Sequence, residues 1–233
     1  GSLAGLLDTG GFEKPGYFRR MALWSARPAA YLGSALREEA ESDRPLFRRS
    51  WNYLPGQEVT VVCYTNRTPV ELFLNGKSMG AREGDSPTWT FPFERGKLEA
   101  GGREGAADIL ESTLPAVRIR LSRWEGDRNG LSNRAGDTLP PSAYRLSQVE
   151  LKLLDEGGRI CVQENPLVRF SLAGEGKILG IENGDLSDLT PYSAPRRRVY
   201  RGCLIVYVLR PVDADKGRLD ASAEGFPPAS VAL

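Results

Sequence analysis

QEVTVVCYT (Gln57–Thr65), then VELFLNGK (Val70–Lys77) after an Asn-Arg-Thr-Pro turn, decide the fold. The first run is rich in β-branched residues and partly alternates, as a half-buried strand does. The second ends in Asn75-Gly76, and a type I′ hairpin turn needs positive φ at both central residues, which this pair tolerates best. Lys77-Ser78-Met79-Gly80 therefore returns the chain beside Val70–Asn75. Working outward, TWTFPF (Thr88–Phe93) reads as a strand with Pro92 at an edge or end. Gly96–Ala100 and Ala107–Ser112 follow, separated by the Gly101-Gly102 turn. Short strands punctuated by Gly and Pro at intervals of roughly 8–12 residues predict a β-sandwich.

The pattern restarts after Leu114-Pro115-Ala116, the best boundary between two domains. Val117–Ser122 alternates, with Val117, Ile119 and Leu121 on one side and Arg118 and Arg120 on the other. Glu125–Pro141 is a long polar stretch, expected to be a surface excursion. LSQVELKLLD (Leu146–Asp155) ends at a Glu156-Gly157-Gly158 turn. Leu167–Ala173, Lys177–Ile181 and the apolar Gly202–Leu209 continue the series, the last expected to be central. Gly217–Ala223 and Ala229–Leu233 read as edge pieces. The N-terminal part differs: Tyr17, Met21, Trp24 and Leu32 recur at roughly helical spacing over Gly16–Leu36, with Pro28 interrupting. Arg37–Arg44 reads as a linker. The expected fold is thus all-β, two consecutive immunoglobulin-like sandwiches after a short helical segment, with divisions at 1–44, 45–114 and 115–233.

Composition narrows the function. The 233 residues suffice for two domains with real cores. A net charge of +1 gives no basic surplus for nucleic acid. No run approaches the ~18 apolar residues of a membrane span. No basic start precedes an apolar run, so no signal peptide is expected, and a first residue of Gly fits a tag remnant or an excised segment. Cys63, Cys161 and Cys203 form no CxxC pair, and the chain has no His. They are expected to be buried thiols rather than zinc ligands, and unpaired thiols favour a reducing interior; a cytoplasmic, bacterial setting is the expectation.

Catalytic constellations fail one by one. Without His, Ser-His-Asp and Cys-His nucleophiles lack their base. Asp155 with Glu156, and Glu182 with Asp185, sit at turns, where solvated carboxylates are ordinary. No phosphate loop of GxxxxGK[ST] form occurs. Asp213-Ala214-Asp215 lacks the further oxygen ligands that calcium needs. No cofactor is implied. Arg196, Arg197, Arg198 and Arg201 are the densest basic cluster, read either as a solvated loop leading into a strand or as an anion site. Among Trp24, Trp51, Trp89 and Trp124, burial in a core or seam competes with stacking on sugar. Trp51 is the candidate for carbohydrate contact.

The quoted pieces also form a family series. Leu7-Asp8-Thr9-Gly10-Gly11-Phe12-Glu13-Lys14 resembles an Asp-x-x-Gly-Phe-x-Lys stretch near the end of the catalytic barrel in glycoside hydrolase family 2, the β-galactosidase-like enzymes. Tyr17-Phe18 and Trp24 fit the following helix. Trp51-Asn52-Tyr53 with Gly56 resembles the Trp-Asn-Trp-x-x-Gly run opening the next β-domain, with Tyr53 in place of the second Trp. Tyr64-Thr65-Asn66 and Val70–Gly80 are the most specific matches. Trp89, Pro92, Phe93 and Gly96-Lys97-Leu98 continue the pattern, as do Asp155–Gly158 and Phe170 to Asn183-Gly184-Asp185. The likeness runs from about residue 5 to about residue 209 and lapses at Glu125–Pro141.

The resemblance implies that residues 1–44 are the end of a (β/α)8 barrel plus linker, with two accessory sandwiches after it. The catalytic carboxylates would lie upstream, so no catalytic residue transfers to this sequence. The implied function is that of non-catalytic C-terminal domains supporting the barrel of the same polypeptide in carbohydrate degradation. An independent carbohydrate-binding module and a structural or adhesive immunoglobulin-like pair are the alternatives. Phe12, Tyr17 and Trp24 would be exposed without the barrel and would offer a surface for self-association.

Overall fold

The computed structural model describes residues 5–43, 45–124, 144–214 and 216–233; Glu125–Pro141 and the Asp213–Asp215 stretch thus lie wholly or partly outside the described residues. Contacts divide the chain into two compact units, one ending at Thr113 and the other beginning at Leu114.

The first unit opens with helix α1 (Pro15–Trp24), whose proline occupies the first turn, where its missing N–H is no loss. The helical expectation fails beyond Trp24. Ala30–Leu36 is a strand, β1, and not a continuation of the helix. Pro28 removes a helical N–H donor. The AYLGSAL run gains more by pairing along its whole length with β2 (Glu58–Thr65), from Ala30↔Thr65 to Leu36↔Val59. Arg37–Ala40, expected within a linker, forms one helical turn.

β3 (Val70–Leu74) and β4 (Lys77–Arg82) make the expected hairpin, with Leu74 opposite Lys77. Asn75 and Gly76 have φ of 52° and 80°, the type I′ signature. The Asn75 amide then secures the neighbouring turn: Oδ1 accepts from Lys97 N at 2.9 Å and Nδ2 donates to Arg95 O at 3.1 Å. Gly96 fits there because a Cβ would lie 1.8 Å from Asn75 Oδ1. β5 (Thr88–Pro92), β6 (Lys97–Gly101) and β7 (Ala107–Glu111) complete the unit. Its sheets run β1-β2-β5 and β4-β3-β6-β7. Alternation turns Val59, Val61, Val70, Leu72, Trp89, Phe91 and Leu98 into a common core.

The second unit contains β8 (Arg118–Arg123), β9 (Tyr144–Leu154), β10 (Leu167–Ala173) and β11 (Lys177–Glu182). Then come β12 (Arg196–Arg198), β13 (Cys203–Pro211), β14 (Arg218–Ser222) and β15 (Ala229–Ala232). Its sheets run β11-β13-β9-β8 and β12-β10-β14-β15. β13 is interior, as its apolar sequence implies. β14 is interior too, against the expectation of an edge piece, because β15 pairs on its far side. Val149, Leu151, Leu153, Val168, Phe170, Leu204, Val206 and Leu219 form the core.

Asp155 departs from the solvated carboxylate expected at its turn. It is fully buried. Its carboxylate accepts from Leu114 N at 3.1 Å, Arg159 N at 2.9 Å and Arg159 Nε at 2.9 Å. Burial alone would raise its pKa, but the two backbone donors and the Arg159 guanidinium outweigh burial and hold it below the usual carboxylate range. Cys63 is another buried titratable group. Desolvation pushes its thiol up to about 12.

Two outcomes are expected. Asp155→Ala leaves buried donors without an acceptor and lowers stability in denaturant unfolding by about 1–3 kcal/mol at neutral pH. Because the folded pKa is depressed, that contribution is complete above the unfolded value of ~3.9 and is lost as pH falls through the folded value, so the gap between wild type and variant narrows in acid. An aromatic disulfide reagent at about pH 8 modifies the half-exposed Cys203 before Cys63, because the protonated, buried thiol is a poor nucleophile; equal rates for the two would contradict this packing.

Candidate functional site

Trp51 is placed at the centre of the first core, with a fractional exposure of 0%. Tyr53, Phe91 and Phe93 surround its ring at centroid distances of 6.1, 5.9 and 5.1 Å. Its indole N–H donates to Glu94 O at 3.1 Å, and its carbonyl accepts from Ser112 Oγ at 2.6 Å. In this position the ring offers no open face on which a sugar could stack. Trp51-Asn52-Tyr53 instead fastens distant segments together. Asn52 Nδ2 donates to Thr113 Oγ1 at 2.6 Å while Asn52 Oδ1 accepts from Thr113 N at 3.0 Å. The Tyr53 hydroxyl lies 2.8 Å from Ser34 Oγ. Trp89 is buried as well and donates to Gly80 O at 3.0 Å.

The aromatic rings open to solvent are elsewhere. Trp24 is 75% exposed at the end of α1, with Leu23 and Met21 exposed beside it, and Trp124 is exposed after β8. The opposite side of α1 is packed, with Ala22 buried and Phe18 stacked on Tyr31 at 3.9 Å. Before α1, Asp8 caps a turn: Oδ1 accepts from Gly10 N and Phe12 N at 2.9 and 3.0 Å, and Gly11 takes a φ of 86°. The Asp-x-x-Gly-Phe-x-Lys stretch is therefore a self-contained turn in this chain.

In the second unit the arginine run is not a solvated loop. It is the edge strand β12, and alternation splits its side chains. Arg197 points inward opposite Val168 and is 1% exposed. It donates to Thr190 O, lies 3.5 Å from the Asp188 carboxylate and stacks 5.0 Å from the Tyr192 ring centroid. Asn183 ties the same loop down, donating to Asp188 Oδ2 at 2.8 Å and Arg198 O at 2.9 Å. Burial works to raise the Asp188 pKa. The Thr190 hydroxyl and N–H, Arg197 and Asn183 overcome burial and hold it low. Arg196 and Arg198 point outward into a hollow of about 620 Å³ that also holds Asn165, Leu167, Asp185 and Tyr200. Arg169 sits opposite Arg196 across the strand pair. No local sequence signal finds Arg169, because only the β10–β12 register brings it to the cluster.

The polar groups around this hollow are largely engaged in internal bonds. The chain has no His. Among the described residues no group of three or more Cys, Asp and Glu is placed to hold a metal. Among the described residues the carboxylates with a displaced pKa are Glu39, Asp155 and Asp188, and all are displaced downward, the wrong direction for a general acid. Among the described residues no helix is long and apolar enough to cross a membrane.

Comparison with known proteins supplies the context. Residues 136–232 match the model described as glycoside hydrolase family 2 C-terminal domain 5. Residues 56–108 match a domain of unknown function, DUF4982. Beta-galactosidase BoGH2A of Bacteroides ovatus is 29% identical over 231 residues, which are 97% of this chain and 24% of that protein. A solved glycosyl hydrolase family 2 member from Bacteroides cellulosilyticus superposes with a TM-score of 0.87 at 27% identity, over 100% of this chain and 32% of that one. A beta-glycosidase from Bacteroides vulgatus gives 0.77 at 26% identity, over 98% of this chain and 27% of that one. The chain spans about a quarter to a third of the length of these relatives. With both sandwiches covered by such matches, and the second by a model of the family's C-terminal domain, the chain belongs to the C-terminal region of glycoside hydrolase family 2.

Proposed function

We propose that this chain is the non-catalytic accessory region of a family 2 glycoside hydrolase, and that it steadies the catalytic barrel of the same polypeptide during carbohydrate degradation. The observation that carries this reading is the span of the likeness: 97% of the chain corresponds to only 24% of a beta-galactosidase. A retaining glycosidase needs two carboxylates ~5–5.5 Å apart, one acid/base and one nucleophile. On this reading that pair belongs to the remaining three-quarters or so of the polypeptide. β-Galactosides are the first substrates to test for the whole enzyme, after the name of the Bacteroides ovatus relative.

Two features support a scaffolding role. The polar side chains described above are largely committed to internal bonds: Asp155 closes its turn, Arg197 holds the Asp188 loop, and Asn75 secures Lys97. Meanwhile Met21, Leu23 and Trp24 present a cluster of exposed apolar groups on α1. Exposed apolar side chains grouped on one short helix fit a surface made for contact with other protein. In the whole enzyme that contact would be the barrel. In the chain alone it becomes a site of self-association.

Two measurements test this. The pure chain, even at high concentration, should hydrolyse no nitrophenyl β-galactoside above buffer, whereas a polypeptide carrying the barrel and this region turns it over; hydrolysis by the pure chain would sink the non-catalytic reading. In sedimentation velocity the chain should show concentration-dependent association, and Trp24→Asp should shift it toward monomer without lowering its melting temperature. A wild-type chain that stays monomeric over the same concentrations would remove α1 as a contact surface.

A further inference from the structure

Three guanidinium groups share the outer side of the β12–β10 strand pair. The register sets Arg169 directly opposite Arg196 and Leu167 directly opposite Arg198. Residues two apart on a strand point to the same side. Arg169, Arg196 and Arg198 therefore project together from the face away from the core, and all three are exposed. Like charges placed directly opposite, with Cβ atoms ~4.5–5.5 Å apart, destabilise a strand pair. Elsewhere two exposed arginines are neutralised locally, Arg218 by Asp220 at 2.8 Å and Arg37 by Glu41 at 2.7 Å. Among the described residues, neither Arg169 nor Arg196 has a carboxylate within ion-pair distance.

The surface around them is concave. The hollow beside Arg196 adjoins a second, of about 530 Å³, that holds Arg169, Ser222 and Glu224, and the two share Leu167 and Arg198. Each falls within the ~300–1,000 Å³ of small-ligand sites. The carboxylates in these hollows are Asp185, Asp188 and Glu224. Asp188 is engaged by Arg197 and Asn183, and Asp185 Oδ1 accepts from Ser187 N and Oγ. The guanidinium charge thus outweighs the carboxylate charge left available.

We infer that this groove binds an acidic oligosaccharide, with a uronate carboxylate of the ligand seated between Arg169 and Arg196. The inference rests on reading the chain as part of a glycosidase. A guanidinium fork matches a carboxylate in bidentate fashion. Such an anion relieves the repulsion across the strand pair. Asn165, Asp185 and Ser187 supply donors and acceptors of the kind hydroxyl groups need, and the half-buried Tyr200 and Leu167 give apolar contact for a sugar face. Two adjoining hollows suit a ligand of several linked residues better than a single small anion.

Isothermal titration calorimetry of the full chain tests this, with an oligogalacturonate, a neutral galacto-oligosaccharide of equal length and inorganic phosphate as probes. The oligogalacturonate should bind about tenfold more tightly than the neutral sugar. Arg169→Gln with Arg196→Gln should weaken it about tenfold, with an unchanged melting temperature. Arg218→Gln, on the same sheet and already paired, should leave binding as it was. If the double variant fails to fold, the wild-type chain still decides, because affinity must fall on raising salt from about 50 to about 500 mM. Equal affinity for acidic and neutral sugars, binding insensitive to the double substitution, or phosphate binding as tightly as the oligosaccharide would each overturn the inference. Such a failure leaves the accessory role standing, since that role is decided by the turnover of the chain with and without the barrel.

Discussion

Most of this molecule depends on one constraint: successive side chains of a strand point to opposite sides, and one of those sides has to fill a core. With a period of two, a slip of one residue would exchange every inward side chain for an outward one. In β3 this fixes Val70, Leu72 and Leu74 in the core. In β13 it does the same for Leu204, Val206 and Val208. The same constraint acts on a strand with no apolar residue at all. β12 is three arginines in a row, yet Arg197 is buried and its neighbours are exposed. A buried guanidinium requires compensation, and Asp188, Thr190 O and the Tyr192 ring provide it.

Packing and polar satisfaction act together at the ends of strands. Trp51 fills the first core, and both of its polar groups are bonded, to Glu94 O and Ser112 Oγ. Asp155 stops β9 and binds the start of its own unit through Leu114 N. These bonds explain why residues that look like possible functional groups in the sequence have structural work instead. A carboxylate receiving two backbone N–H groups and a guanidinium is a poor proton donor, and an indole enclosed by three aromatic rings has no surface to lend.

Much of the fold was legible. The Asn75-Gly76 turn announced its hairpin because few residue pairs accept two consecutive positive φ values. β10 falls on the expected Leu167–Ala173, since its alternation is uninterrupted. Ala30–Leu36 was misread because apolar spacing near a helix does not reveal a partner, and pairing with β2 overrode the local pattern. β14 was misplaced as an edge for the same reason: strand order is a property of the sheet and not of the strand.

The sequence by itself determined the class of fold, the turns and the absence of a histidine-based active site, because these follow from short-range sterics and from the residue inventory. It also carried the family motifs, since those are local strings such as Val70–Gly80. Only the tertiary structure decided which side chains face each other. It buried Trp51 and Arg197, and it brought Arg169 to Arg196 from a distant strand. The physical reason is that burial and charge proximity are set by strand register and layer packing, which join residues with no relation along the chain.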